Sequence, residues 1–313
     1  MNPLSNSDNK MKQIVVVLRG PSACIFKPEE HLILIGFNSS IGPVNITYKT
    51  HWITKDDDCK IPGNLLIGIT GRADNVNNAL MPFANAGLQA ISIMALSCNA
   101  AIGTPEIEIG YDATAGAKER DFFQNYVPPE SEDLYSLRLI NVDATLQLIS
   151  SVSKHDDFKR IFRSIEQYNL ALNSWRLGNE ILILSHLWMA VEALTKAKIR
   201  SMCNELGLEV NDQKGLADKL GIPIENLDPI IREKYLLHDD NEVYQEAKNA
   251  SDGLEHGFME YPKIQKSAQK IRTRLANYIR SSILEICGLD ESELSVLTKK
   301  PFDEPIGYYP IAY

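Results

Sequence analysis

The chain has 313 residues, 44% of them hydrophobic and 23% charged; these are globular shares, which exclude wholesale disorder and fibrous repeats, and the length suits two domains with cores of their own. Lys plus Arg number 32 against 41 Asp plus Glu, a formal charge of −9, which excludes a protein that coats nucleic acid over its whole surface but not a local basic face. Five scattered cysteines, Cys24, Cys59, Cys98, Cys203 and Cys287, form no CxxC pair, so neither a disulfide framework nor a cysteine-rich zinc site is expected, and a reducing cytoplasm fits.

Residues 1–10 are polar and read as a disordered arm without the basic and apolar regions of a signal peptide. Residues 11–153 read as a mixed α/β domain. Short β-rich runs at Gln13–Leu18, Leu32–Gly36, Val44–Tyr48, Leu65–Ile69 and Ile107–Gly110 are separated by Gly, Pro, Asn and Asp. A segment over about 75–100 is rich in Ala, Leu, Ile and Met and predicts a helix with Asp74 as N-cap and Pro82 near its start. Pro128-Pro129 marks a loop, and Leu137–Val142 predicts a strand before a helical turn near 144–153. The densest polar groups, Arg72-Ala73-Asp74-Asn75 and Lys118-Glu119-Arg120-Asp121, read either as caps and turns or as functional residues, and by analogy with defence proteins this half is expected to sense a phage component or a small ligand. The best apolar stretches, Leu88–Leu96 and Ile181–Leu194, fall short of the roughly 20 residues needed to cross a bilayer, so no membrane is expected.

Residues 155–288 read as helical throughout, which makes the fold class α+β. Phe158, Ile161, Phe162, Ile165, Tyr168, Leu172 and Trp175 follow three-and-four spacing, and Ile181, Leu184, Leu187, Trp188, Val191 and Leu194 carry a second helix. Shorter elements follow near 213–220 and 226–237. Asn241 is the expected cap of a helix that runs to His256 and ends at Gly257. The last long helix, about 262–287, starts with Pro262 in its first turn and has Gly288 after its end. Roughly four long helices with short links predict an antiparallel bundle. The tail, 289–313, is acidic and then aromatic and Pro-rich, ending Tyr308-Tyr309-Pro310-Ile311-Ala312-Tyr313; it is expected either to dock on the body or to capture a protein partner.

No phosphate loop, GxGxxG, HExxH or GxSxG is present, and neither a cofactor nor a metal is expected. His155-Asp156-Asp157 and His238-Asp239-Asp240 read as helix starts ahead of metal ligands, and His186 as a satisfied core or interface histidine.

The segment from about 158 to 288 resembles the HEPN superfamily of prokaryotic RNase toxins and phage-defence proteins. The resemblance rests on Tyr168-Asn169-Leu170-Ala171-Leu172 running into Trp175 and Gly178, on Leu187-Trp188-Met189-Ala190-Val191-Glu192-Ala193-Leu194, and on Asp252-Gly253-Leu254-Glu255-His256-Gly257. It implies a homodimer paired through the bundle, with Trp175 and Trp188 as candidate anchors, and a metal-independent endoribonuclease with His256 at its centre. The chemistry is consistent: His moves a proton near neutral pH, a cation steadies the phosphate, and the RNA 2′-hydroxyl attacks. In the family an Arg is followed by four to six residues and then the His, which would set it at Ser251, Ala250 or Asn249; Lys248 stands one residue further back and is the candidate replacement.

His256 therefore has three readings: a catalytic group, an RNA contact in a non-catalytic bundle, or a cap favoured by the helix dipole. The span 261–280 holds Lys263, Lys266, Lys270, Arg272, Arg274 and Arg280 and no acid. Lys263, Lys266, Lys270 and Arg274 form a helix face that is either solvated or RNA-binding. The leading expectation is a cytoplasmic HEPN-like protein that binds or cleaves RNA in phage defence or a toxin-like stress response. The alternative is a degenerate scaffold that recruits partners through the N-terminal domain and the tail.

Overall fold

The computed structural model describes residues 11–54, 60–126, 137–289, 291–297 and 304–307. The N-terminal arm, the Pro128-Pro129 loop and the Tyr-rich end of the tail lie outside them. The fold is α+β, with an antiparallel six-stranded sheet and a C-terminal helical region. The chain forms two compact units, one from residues up to 91 together with 103–134, the other from 92–102 together with 135 onwards.

The first unit carries strands β1 (Lys12–Gly20), β2 (Cys24–Ile25), β3 (Leu32–Ser39), β4 (Gly42–Thr54) and β5 (Lys60–Ala73), then β6 (Glu106–Asp112) and β7 (Phe122–Gln124). The sheet order is β3-β4-β5-β1-β6-β7, and every pairing is antiparallel. Period-two alternation selects the buried face: Ile14, Val16 and Leu18 are buried and sit opposite Gly71, Ile69 and Ile67, while Val15 and Val17 are half-exposed. Helix α1 (Val76–Cys98) lies on the buried face through its residues up to 91; the buried Tyr48 hydroxyl donates to the Gly87 carbonyl at 2.8 Å. Asn75, and not Asp74, caps this helix, because Asn75 Oδ1 accepts from the Asn78 N–H at 2.9 Å. The whole of α1 is long and apolar enough to cross a membrane, a length that Leu88–Leu96 alone understated. Of its most apolar window, 67% is buried inside the protein, as in a core helix.

The second unit holds β8 (Arg138–Leu139), α2 (Val142–Lys154), α3 (Phe158–Asn173), α4 (Glu180–Glu205), α5 (Gln213–Leu220), α6 (Leu227–Ile230), α7 (Asn241–Glu255), α8 (Tyr261–Ile286) and α9 (Glu291–Leu297). The strand expected over 137–142 shrinks to two residues because Asn141 Oδ1 accepts from the Ala144 N–H at 3.0 Å and starts α2. The element expected over 226–237 is a short α-turn that continues into a π-turn over Ile231–Leu236. Asp240, one residue before the expected Asn241, caps α7 by accepting from the Val243 N–H at 3.1 Å. The core joins Ile161, Ile165, Tyr168 and Leu172 of α3, Leu184, Leu187 and Val191 of α4, and Ile271, Leu275 and Ile279 of α8, all buried.

Two buried arginines close the C-terminal end of α1 within this unit. Arg280 donates to the carbonyls of Leu96 and Ser97 at 2.8 and 2.9 Å and also to that of Leu297; Arg138 donates to those of Cys98 and Asn99, both at 2.9 Å. Cations meet the negative end of the helix dipole where its last carbonyls lack intrahelical donors. Arg280 is thus a packing residue, although its sequence neighbours place it in a basic face.

Candidate functional site

The residues of the sequence-level site gather at the turn between α7 and α8. Val243, Tyr244, Ala247, Ala250 and Gly253 bury one side of α7, and the helix ends at His256, whose N–H donates to the Asp252 carbonyl at 3.0 Å. Gly257 follows at φ +66°, the left-handed conformation that ends a helix at little cost only in glycine. The chain then folds back so that Met259 packs on Gly253. A Cβ at Gly253 would lie 2.6 Å from the Met259 Cβ, so only glycine admits this contact.

Met259 pins the turn, and its neighbours face outward. His256 is exposed, and its ring stacks on Phe258 with centroids 6.4 Å apart and planes 12° apart. Phe258 is 66% exposed and Tyr261 60%. Lys263 and Lys266 follow in the first turns of α8, both exposed; Lys263 pairs with Glu260 at 3.2 Å, and Lys266 forms no ion pair among the described residues. A pair this exposed holds its lysine only weakly.

Lys270 and Arg274 are engaged elsewhere. Lys270 Nζ lies 2.8 Å from Glu242 and 3.0 Å from Glu246; Arg274 reaches Asp240 at 3.0 Å and Glu242 at 2.5 Å. Lys270, with Arg274 behind it, draws the Glu242 carboxyl down to about 2. The face read from α8 alone therefore divides into an exposed, loosely held end, Lys263 and Lys266, and an end clamped to α7.

Lys248 is half-buried on α7, eight residues before His256, which is about 12 Å along the helix axis. The two are not brought together within one chain. Of the positions where the family's arginine would stand, Ala250 is 1% exposed and belongs to the core.

Both candidate anchor tryptophans are buried within the second unit. Arg272 lies over the Trp175 ring at 5.3 Å; Trp188 stands between Tyr244 and Arg232, which caps its ring at 5.4 Å. Neither offers a surface to a partner. Helices α3 and α4 form a hairpin on which Leu170, Leu182 and Met189 are exposed, as is Leu177 in the turn between them. His186 Nδ1 donates to Gln167 Oε1 at 2.9 Å between α4 and α3, and burial lowers its affinity for a proton. Leu182 and Met189 flank His186 by one turn each on α4, and Leu170 is one turn from Gln167 on α3, so the three share one side of the hairpin.

Residues 304–307 of the tail dock on their own unit. Ile306 pairs its backbone with Asn99 and Ala101 at 3.1 and 2.8 Å, and Gly307 lies against Trp175. The His155 and His238 triplets stand at helix starts, where Asp157 pairs with Arg160 at 2.8 Å and Asp240 caps α7. Among the described residues no three His, Cys, Asp or Glu side chains group as a metal ion would need. The sequence reading missed Phe258 and Tyr261 as candidate site residues; their signal was two aromatic residues just after a glycine-ended helix, next to lysines. Compared with known protein families, curated proteins and solved structures, the chain matches none.

Proposed function

We propose that this chain is a cytoplasmic HEPN-like protein that holds single-stranded RNA at the α7–α8 turn, in phage defence or a toxin-like stress response. The observation that carries the reading is the exposed run His256, Phe258 and Tyr261 beside Lys263 and Lys266. Unstacked bases lie on exposed rings, and lysines meet the phosphates that link them. Duplex RNA would offer its phosphates but no base faces, so single strands fit better.

Binding is a better-supported role than cleavage. His256 has the chemistry to take the 2′-hydroxyl proton, but Lys248 stands about two turns away and no arginine replaces it on α7. If RNA is cut, the agent is a metal-independent endoribonuclease that borrows its cation from another element or from a second copy. A homodimer belongs to this proposal, and the support for it shifts from the two tryptophans to Leu170, Leu182 and Met189. Capture of a protein partner by the tail gains no support from residues 304–307, where the Ile306 backbone is already paired with Asn99 and Ala101.

The test has two arms: binding of a short labelled single-stranded RNA by the full chain and by Phe258→Ala, and cleavage with EDTA present by the full chain and by His256→Ala. Binding lost in Phe258→Ala supports the reading; equal binding by both proteins overturns it.

A further inference from the structure

The sheet of the first unit has one face under α1 and one open face. Alternation puts Ile14 and Gly71 on the covered face, so Gln13 and Arg72, which pair across β1 and β5, stand on the open one. Thr70 stands there too, two residues from Arg72 on β5, and pairs with Asn45 of β4. Four polar side chains from three neighbouring strands thus share one patch. Lys12 and Asp112, 3.4 Å apart, belong to the covered face and take no part.

A cleft of about 510 Å³ opens over this patch, a volume in the range of small-molecule sites. Its apolar walls are Met11, Ile35, Ile41 and Pro43. The register of β3 sets Ile35 in place. Leu34 pairs with Ile46 and Phe37 with Val44, so Ile35 and Gly36 together stand opposite Asn45. This is a bulge, which bends its strand and re-aims a side chain. Gly36 has φ +66°, and its N–H donates to Asn45 Oδ1 at 3.0 Å. Met11, Ile35 and Ile41 are 48%, 83% and 40% exposed. Exposed apolar side chains are ordinary when scattered, but these three surround one cleft.

The floor of the cleft is built of donors. Arg72 is the only charged residue among those that line it. Its side chain is exposed and makes no hydrogen bond or ion pair among the described residues, and neither do the side chains of Gln13 and Thr70. Asn45 has its oxygen engaged by Gly36, which leaves its amide N–H groups to offer. A planar guanidinium gives two parallel N–H bonds to one carboxylate. A single cation with no acid beside it matches a single negative charge. A phosphate monoester, with about two negative charges, would be half matched.

The geometry points to a binding site for a monocarboxylate with an apolar body. Its carboxylate lies on Arg72, and its hydrocarbon lies against Met11, Ile35, Ile41 and Pro43. A small inorganic anion would leave these walls in water, and a neutral apolar molecule would leave Arg72 without a counter-charge. Of the polar run Arg72-Ala73-Asp74-Asn75, Asn75 caps α1 and Arg72 faces the cleft. The site is independent of the RNA reading and lies wholly within the first unit.

The experiment is isothermal titration of the full chain with hexanoate, 3-phenylpropanoate, 1-hexanol, acetate and phenyl phosphate. Both larger carboxylates should bind. Hexanol and acetate, each lacking one half of the ligand, should bind at least about tenfold more weakly. In Arg72→Ala, hexanoate should weaken to the level of hexanol; in Ile35→Ser with Ile41→Ser, it should weaken towards that of acetate. All three side chains are exposed, so these variants leave the core intact. No binding of either larger carboxylate up to about 10 mM overturns the proposal. So does equal binding of hexanoate and hexanol, or unchanged hexanoate binding by Arg72→Ala. Tighter binding of phenyl phosphate than of 3-phenylpropanoate also overturns it, since the site would then take a dianion.

Discussion

Arg280 donates from Nε to the Leu96 carbonyl at 2.8 Å, across 184 positions of sequence. The side chain is 3% exposed and also serves Ser97 and Leu297. Replacing it with methionine keeps much of the volume and leaves these carbonyls unpaired. Arg280→Met should therefore cost about 3–5 kcal/mol, read as a shift of the urea midpoint with an unchanged slope. Lys266→Ala, on the exposed part of the same helix, should stay within about 0.5 kcal/mol of wild type.

The clamp between α7 and α8 makes a pH prediction. Glu242 titrates at about 2 in the folded chain, held there by Lys270 and Arg274. Its folded value lies below its unfolded one, so its contribution is complete above the ordinary carboxylate range of about 4.3 and is lost as pH falls through about 2. The difference in unfolding free energy between wild type and Glu242→Gln should be constant from pH 5 to 8 and shrink below pH 4. A difference that grows towards low pH would contradict the pairing. The effect should be small and weaken in salt, because the groups are exposed.

Much of the fold is legible in the sequence, and the reason is local. The five β-rich runs all fall inside strands, and the helix expected over 262–287 matches α8 within one residue at each end, because alternation and capping depend on near neighbours. What was not legible depends on pairings far apart in sequence. Lys270 and Arg274 looked free because their carboxylates, Asp240, Glu242 and Glu246, lie 24 to 34 positions away. Trp175 and Trp188 looked like anchors because their covers, Arg272 and Arg232, belong to other helices. Asp112 attracted no notice, since Lys12 meets it only through the β1–β6 pairing.

The turn that presents the rings has its own test. Gly253→Ala sets a methyl group against Met259, and the overpacking should cost about 1–3 kcal/mol. RNA capture should fall in the same protein under conditions where it is folded, because Met259 no longer pins Phe258 and Tyr261. Full stability and full capture together would remove Met259 as the pin.

The dimer proposal predicts a change of mass. Wild type should run as a dimer by light scattering, and Leu182→Asp with Met189→Asp should run as a folded monomer, since burying two new carboxylates in an apolar contact is unfavourable. A monomeric wild type, or a dimer that survives both substitutions, contradicts pairing through this face.

The most direct test of the central claim is the salt dependence of single-stranded RNA binding, by fluorescence anisotropy, for wild type, Phe258→Ala and Lys263→Ala with Lys266→Ala. Loss of Phe258 should weaken binding about tenfold at every salt concentration, since stacking carries no ion release. Loss of both lysines should make the slope of log K against log salt shallower by about 1.4, from about 0.7 per phosphate contact on a single strand. Binding that ignores Phe258 and both lysines would contradict the account.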